Sequence, residues 1–208
     1  MQPTERTTPS RLAKRAHFDE TTVYSILDES LFCTVSCVIE GQPFSIPTAF
    51  ARFEDYLYLH GSVGSHFIRA IEQGIPVCIS TMLTDALVVA KSAFHHSVNY
   101  RSVVLFSTAE KVENEGQKVE ALRWITEKIV PQSWDYLRPI TSSEVKKTTV
   151  LKFKIEDASA KVRGGMPIDD EEDQSLPIWS GLIPLTTRRE QPIADEWSKN
   201  VPLPKHLI

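Results

Sequence analysis

A short polar segment between an expected strand and an expected helix carries residue types that bind phosphate groups. The segment reads Leu59-His-Gly-Ser-Val-Gly-Ser-His66. Its glycines let backbone amides approach a ligand, and its serines offer hydroxyl groups. A helix that begins near Ser65 would add free amides and a partial positive charge at its first turn. The segment lacks the lysine of a P-loop, so it predicts a phosphate cradle of another kind, with an ordinary capped loop as the alternative.

A second cluster of polar side chains surrounds the start of a later strand. The segment 92–102 contains two histidines, a tyrosine, an arginine and three serines. The guanidinium of Arg101 presents a fork of donors that suits a phosphate or an electron-rich ring. His95 and His96 would point to opposite faces of a strand, which is poor geometry for one shared metal ion, so no metal site is predicted.

The C-terminal part of the chain holds a third group of candidates. Lys161 and Arg163 are two residues apart and share one face of an expected strand. Trp179 lies in a stretch rich in proline and glycine that must be held by packing, and its alternative is a surface tryptophan on a C-terminal wrap. The five consecutive acids of 169–173 are typical of a solvated loop.

The elements that must position these residues are mostly strands. Apolar residues alternate from Leu31 to Ile39, which predicts a half-buried strand, and a second strand is expected over Phe44–Phe53 with an interruption at Pro47. The pattern contains no βαβ alternation, so we expect an α+β fold whose antiparallel sheet, of six or seven strands, closes into a small barrel with two or three peripheral helices. Further strands are expected over 56–60, 76–82, 86–91, 99–112 and 148–155, and helices over 19–27, 67–74 and 119–129.

Composition narrows the class of protein. The 208 residues include 23 Lys and Arg against 27 Asp and Glu, a formal net charge of −4, which argues against a general nucleic-acid binder. The three cysteines predict small core thiols instead of a disulfide framework. No apolar run is long enough for a membrane span, and the first residues lack the apolar stretch of a secretory signal, so we expect a soluble cytoplasmic protein without a membrane partner. The expected organisation is an N-terminal arm (1–18), a barrel domain (19–165) and an acidic, proline-rich C-terminal wrap (166–208).

Taken in order, these segments resemble the pyridoxamine 5'-phosphate oxidase-related, flavin-nucleotide-binding proteins, a group that includes nitroimidazole-resistance reductases. Each motif is short, and the order and spacing of the set over most of the chain carry the resemblance. The resembling segments are Arg11 to Asp19, Ile26-Leu-Asp28, Ile46-Pro-Thr48, Tyr58-Leu-His-Gly61, Ser92 to Val103, Ala158 to Arg163 and Pro177-Ile-Trp-Ser-Gly181.

The resemblance implies a split β-barrel that forms a homodimer, with FMN in two clefts at the subunit interface. It implies that one strand lies along the flavin ring, that the Gly/Ser segment surrounds the phosphate, and that a neighbouring strand and a tryptophan of the partner subunit complete the cleft. The residues assigned in this way are Ser45, Ile46, Pro47 and Thr48 on the first strand, His60, Gly61, Ser62, Ser65 and His66 around the phosphate, Arg101 and Ser102 on the neighbouring strand, and Trp179.

The chain also departs from the oxidase of this family. His66-Phe67 stands where the resemblance leads one to expect an arginine-lysine pair, so phosphate binding would rest on Ser62, Ser65, Arg69 or Arg101. The oxidase's C-terminal arginine-histidine substrate motif is also missing, which argues against oxidation of pyridoxamine phosphate.

The favoured function is an FMN-dependent oxidoreductase that moves electrons from a nicotinamide donor to a small molecule, with no catalytic residue assigned. Three alternatives remain: a flavin-binding module or sensor without turnover, a heme-binding relative that uses one of its histidines, and a structural dimer with an empty cleft. The histidines available to a heme are His60, His66, His95 and His96.

Overall fold

The alternation that begins near Leu31 produces a strand over Phe32–Ile39 in the computed structural model, which describes residues 1–207. Cys33, Val35, Cys37 and Ile39 are buried on one face of this strand. Phe32 and Val38, on the other face, are each 61% exposed. One face therefore builds the core, and the other forms an outer surface.

Residues 1–207 contain ten strands and four α-helices. Their bounds are β1 (Ala16–His17), α1 (Glu20–Glu29), β2 (Phe32–Ile39), β3 (Gln42–Ala49), β4 (Ala51–Phe53), β5 (Tyr56–Ser62), α2 (His66–Ile71), β6 (Pro76–Val89), β7 (Ser97–Lys111), α3 (Glu115–Ile129), α4 (Ser142–Lys147), β8 (Thr148–Lys154), β9 (Asp157–Arg163) and β10 (Gly181–Pro184).

The long strand β7 belongs to two sheets and joins them into a split barrel. Its first part pairs with β6 and β9, and β2 and the edge strand β3 continue this first sheet beyond β6. Its last three residues pair with β8, which continues through β5 to β4 as the second sheet. Every pairing is antiparallel, which confirms the predicted α+β fold class.

The main core fills the space between the two sheets and the face of α1. Val23, Ile26 and Leu27 of the helix are at most 1% exposed, and Phe50 and Phe153 are fully buried. Full burial of one such side chain contributes about 1.5–3 kcal/mol to folding before entropy is counted. A smaller cluster packs α3 against the outer side of the second sheet, through residues Val112, Ala121, Leu122 and Val150.

The strand break predicted at Pro47 is wrong, because the chain changes sheets at Phe50 instead. Pro47 lies inside β3, which is an edge strand and tolerates a residue without an amide proton. Phe50 is fully buried between β3 and β4 and anchors the corner. The missing amide proton of Pro47 therefore does not end the strand, and the buried ring of Phe50 marks the place where the chain passes to the second sheet.

The two strands predicted over 76–82 and 86–91 are one strand, β6. Its pairing with β7 shifts register between Thr84 and Ala86, so Asp85 occupies a bulge. The polar pair Thr84-Asp85 had the composition of a turn, and a bulge accommodates such residues without ending the strand.

Two further corrections concern short segments. The helix α4 was not predicted, although the capping box formed by Thr141 and Glu144 is present at its start. His95 and His96 lie in the turn before β7 and not on a strand; His95 Nε2 lies 3.1 Å from Asp170 Oδ2, and His96 Nδ1 lies 2.9 Å from the Ser92 carbonyl oxygen.

Several local predictions are confirmed. Asp19 caps α1 by accepting a hydrogen bond from the Thr22 amide at 2.8 Å. Gly74 takes φ +78° after α2, a left-handed conformation that favours glycine. Cys33 and Cys37 are buried core thiols, and burial raises the pKa of Cys33 to about 12, whereas Cys78 is half-buried.

Both terminal segments are tied to the barrel. The amino group of Met1 donates to the Phe18 carbonyl at 2.7 Å, and β1 pairs with β9. Near the other end, β10 pairs with β6, and Arg189 donates to the Ile129 carbonyl at 3.0 Å. No helix within residues 1–207 combines the length and the apolar character needed to cross a membrane.

Candidate functional site

The polar turn between β5 and α2 is closed by its own hydrogen bonds. The Ser65 amide donates to the Ser62 carbonyl at 2.9 Å, and the Gly64 amide donates to Ser62 Oγ at 3.2 Å. Ser65 Oγ caps α2 by accepting from the Ile68 amide at 3.3 Å. Both hydroxyl oxygens thus act as acceptors inside the turn, and each hydroxyl retains its own proton to donate outward.

Gly61 is explained by packing rather than by access for a ligand. A Cβ at this position would stand 2.5 Å from Cγ1 of Ile68, so only glycine lets α2 approach β5 this closely. Gly64 is different, since its nearest contact would be an ordinary 3.6 Å to Ser62 Oγ. The close approach at Gly61 fixes the start of α2 against the end of β5.

The strand β3 and the turn, which are distant in sequence, lie side by side. The rings of Phe44 and His66 are 6.2 Å apart between centroids. Ser45, Ile46 and Pro47 are exposed along the free edge of the first sheet. Thr48 is half-buried, and Ser45 Oγ is 2.9 Å from Ser36 Oγ on β2. The structure therefore brings together an edge strand and a turn that presents hydroxyl groups.

His60 lies on the other side of β5 from Gly61. Successive residues of a strand alternate in direction, and His60 lines a cavity of about 640 Å³ beside α3. Burial lowers the pKa of its imidazole. The structure thus places His60 and Gly61 on opposite faces of β5, and the predicted contact of His60 with a phosphate stays a prediction. The cavity is also lined by Val119, Leu122, Thr126, Trp134, Leu137, Arg138, Pro139, Ile140, Glu144 and Thr148.

The guanidinium of Arg101 is engaged by two carboxylates of the same chain. It donates to both oxygens of Glu29 at the end of α1, one of these bonds being 2.8 Å, and to Asp85 in the β6 bulge at 2.8 and 3.0 Å. These partners raise the pKa of Arg101 above its ordinary value. In this arrangement Arg101 links elements of the fold, and its predicted contact with a cofactor stays a prediction.

Ser102 and Trp179 are both far along the sequence from the turn between β5 and α2. Ser102 Oγ donates to the Lys161 carbonyl at 3.3 Å on the outer side of the first sheet, where it pairs with Met82. Trp179 is 64% exposed and stacks its ring over Gly181, whose Cβ would stand 2.9 Å from Trp179 Cζ2. Ser102 is half-buried, whereas Trp179 is exposed, as a contribution to a partner's cleft would require.

The cavity beside α3 was missed by sequence reasoning. Five of its eleven lining residues come from residues 130–141, where no helical or strand period is present. The signal that could have marked this segment as ordered is the capping box of Thr141 and Glu144 that follows it.

Comparison with known proteins places the chain in a family. Residues 19–162 match the family model described as pyridoxamine 5'-phosphate oxidase. No curated protein matches the chain. The chain belongs to the pyridoxamine 5'-phosphate oxidase-like family, as the sequence motifs predicted.

Two solved structures resemble the chain over nearly its whole length. The flavocytochrome Anf3 from Azotobacter vinelandii is 38% identical, with a TM-score of 0.91, and the match covers 98% of this chain and 95% of that one. An FAD and heme binding protein from Mycobacterium smegmatis is 33% identical, with a TM-score of 0.88 and coverage of 93% and 95%. A Bacteroides thetaiotaomicron protein provisionally assigned to 5-nitroimidazole antibiotic resistance shares the fold, at 23% identity and a TM-score of 0.61 over 71% of this chain and 86% of that one.

Proposed function

We propose that this protein binds a flavin nucleotide between β3 and the turn that starts α2, and works as a flavin-dependent oxidoreductase. The observation that carries the proposal is the meeting of a free strand edge with a turn of serine hydroxyls, marked by the Phe44–His66 contact. A free strand edge can hydrogen-bond the polar rim of an isoalloxazine ring, and hydroxyls and helix amides can hold a phosphate. Family membership supports the same ligand class.

The chain's own residues divide the work of binding. The backbone of Ser45, Ile46 and Pro47 would run along the ring, and Ser62 and Ser65 would donate their hydroxyl protons to the phosphate. FMN and FAD share this riboflavin phosphate, and the Mycobacterium smegmatis protein that matches the chain is described as binding FAD. The binding test therefore includes both nucleotides, with FMN as the ligand favoured by the sequence.

Arg69 is the cation best placed to neutralise the phosphate. It is exposed on α2 one helical turn after His66, whereas Arg101 is held between Glu29 and Asp85. A charge-assisted hydrogen bond contributes about 1.5–3 kcal/mol, so Arg69→Gln should weaken flavin binding about 10- to 100-fold. Fluorescence titration with FMN and with FAD measures this change.

The control for this variant is Arg188→Gln, an exposed arginine whose partner Glu190 lies two residues away in the C-terminal segment. Its flavin affinity should equal that of the wild type. If both variants bind flavin as tightly as the wild type does, Arg69 does not contact the phosphate. If the wild type binds neither nucleotide, the flavin proposal itself is wrong.

A bound flavin supplies two-electron chemistry, so the protein's part is to position the ring, adjust its charge and limit the access of water. We infer that a nicotinamide donor reduces the flavin and that a small molecule accepts the electrons. Anaerobic addition of NADH or NADPH should bleach the absorbance of the bound flavin. Flavin that is retained but not bleached would favour a binding module or sensor without turnover.

A heme is the second redox group that we propose for this chain. Two solved proteins that match nearly its whole length are described as a flavocytochrome and as an FAD and heme binding protein. The cavity beside α3 gives this proposal a structural basis, because the imidazole of His60 and several apolar side chains line it together. The absorbance spectrum of the purified protein should then contain a Soret band beside the flavin bands.

A further inference from the structure

The cavity beside α3 has the composition of a site for a large, flat, mainly apolar ligand. Val119 and Leu122 of α3 and Leu137 and Ile140 of the following segment supply apolar walls, and His60 enters from β5. Its volume of about 640 Å³ lies in the range of small-molecule and cofactor pockets. The barrel core does not use this space, because the core lies on the other side of β5.

The walls of the cavity are fixed by hydrogen bonds between elements. The Glu127 carboxylate of α3 accepts from the backbone amides of Gln132 and Trp134, at 2.5 and 2.6 Å. Lys118 Nζ of the same helix donates to the Val145 carbonyl of α4 at 2.9 Å. These bonds hold α3, the segment after it and α4 together, so the cavity is preformed.

A cation stands at the edge of this cavity. Arg138 forms two hydrogen bonds with the Glu144 carboxylate, at 2.5 and 3.0 Å, and its side chain is 68% exposed. The guanidinium therefore remains open to water, and it lines the same cavity as His60. An imidazole and a guanidinium that line one cavity suit a ligand with a metal at its centre and carboxylates at its rim.

We propose that this cavity is the heme site of the protein, that a ring nitrogen of His60 ligates the heme iron, and that Arg138 pairs with a propionate carboxylate. This assignment rests on the heme-binding part of the proposed function and is independent of the flavin part. It chooses His60 among the four histidines available from the sequence. His95 contacts the Asp170 carboxylate, His96 contacts the Ser92 carbonyl, and the ring of His66 lies beside Phe44.

The ligand chemistry favours a porphyrin over a bare metal ion. Within residues 1–207 no group of three or more His, Cys, Asp or Glu side chains is placed to hold a metal. A porphyrin supplies four nitrogen ligands of its own, so a single imidazole is enough to complete the site.

The test is a titration of the full-length protein with hemin. Binding is measured from the Soret band of the heme and from electron paramagnetic resonance of the ferric iron. Wild-type protein should give a Soret band of a histidine-ligated heme, and His60→Ala should lose that band. Added imidazole should restore it in the variant, since free imidazole can occupy the vacated position. Circular dichroism of His60→Ala checks that the fold is retained.

Two further variants separate the site from the fold. His96→Ala is the matched control and should bind hemin as the wild type does. Thr126→Trp keeps His60 but fills the cavity, and should also lose hemin binding. A His60→Ala protein with an unchanged spectrum overturns the assignment of the ligand, and a wild-type protein that binds no hemin overturns the heme site altogether. Flavin content, measured in the same samples, reports separately on the flavin proposal.

Discussion

Lys128 is a charged side chain that the fold partly removes from water. Its Nζ donates to the Leu27 carbonyl at the end of α1, at 2.7 Å, and lies 3.4 Å from the centroid of the Phe50 ring. Burial is the main cause that lowers its pKa from the ordinary 10.5 to about 8, while Asp28 nearby opposes the shift. Lys128 therefore joins α3 to α1, and burial of its charged form lowers the free energy of unfolding.

The lowered pKa of Lys128 predicts that the free energy of unfolding depends on pH. Between pH 8 and about 10 the unfolded chain still binds a proton at Lys128 that the folded chain has lost, so the free energy of unfolding rises with pH in this window. The rise from this group should not exceed about 2 kcal/mol, because residual contact with water screens it. Urea unfolding of wild type and Lys128→Met, each at several pH values, measures the difference. Parallel pH profiles for the two proteins would contradict the prediction.

Single residues also show where sequence reasoning succeeded at the site and where it could not. The helix start expected near Ser65 is present, because a serine hydroxyl is a good N-cap, and the phosphate-binding role of the serines stays a prediction. His60 was grouped with them because it is adjacent in sequence, and the structure adds that it lines the cavity beside α3, which had no signal in the sequence. The pairing of Arg101 with Glu29 and Asp85 had no local signal, because its partners are 72 and 16 residues away.

At the scale of elements, Arg101 links three parts of the barrel. It lies on β7 and binds Glu29 at the end of α1 and Asp85 in the bulge of β6. Replacing it by methionine would leave two carboxylates near one another without a cation. We expect Arg101→Met to lower the free energy of unfolding by about 1–3 kcal/mol, between the values for exposed and buried ion pairs.

Urea unfolding checks this prediction, and a second substitution tests its cause. Arg101→Met combined with Asp85→Asn should recover part of the loss, because it removes one of the two unpaired charges. The exposed pair of Arg188 and Glu190 provides the comparison, and Arg188→Gln should leave stability unchanged. Equal stability of Arg101→Met and wild type would mean that the network contributes nothing to the fold.

Local sequence patterns were sufficient to predict that a strand or a helix is present. Whether a strand continues or breaks depends on tertiary contacts. The alternation of β2 and the capped start of α1 were sufficient to predict both elements. The single long β6 was not predictable, since the bulge at Asp85 is stabilised by β7 on one side and by a residue far along the chain on the other. The corner at Phe50 likewise depends on a core that only the assembled sheets create.

At the scale of the whole molecule, the outer face of the first sheet is incompletely covered. Phe32, Val38 and Met82 are each more than 60% exposed, and Phe32 and Met82 lie on neighbouring strands in the row that continues to Ser102. Exposed apolar side chains grouped on one face of a folded protein, here called the patch, commonly mark an interface with another protein. The patch fits the homodimer that family resemblance implies, and it lies on the sheet whose edge strand is β3.

We propose that this face forms the homodimer and that the flavin cleft is complete only when it does. Met82→Asp would place a charge inside the interface while leaving the barrel core untouched, because the Met82 side chain is 63% exposed in the protomer. Light scattering after size exclusion should give a dimer mass for wild type and a monomer mass for Met82→Asp, with weaker flavin binding in the monomer. Ile193→Asp is the control, since Ile193 is 97% exposed in the C-terminal segment away from this sheet. A monomeric wild type would show that this face forms no dimer. A Met82→Asp variant that stays dimeric would show that the dimer interface lies on another face. A Met82→Asp monomer that keeps full flavin affinity would show that one chain builds the flavin cleft by itself.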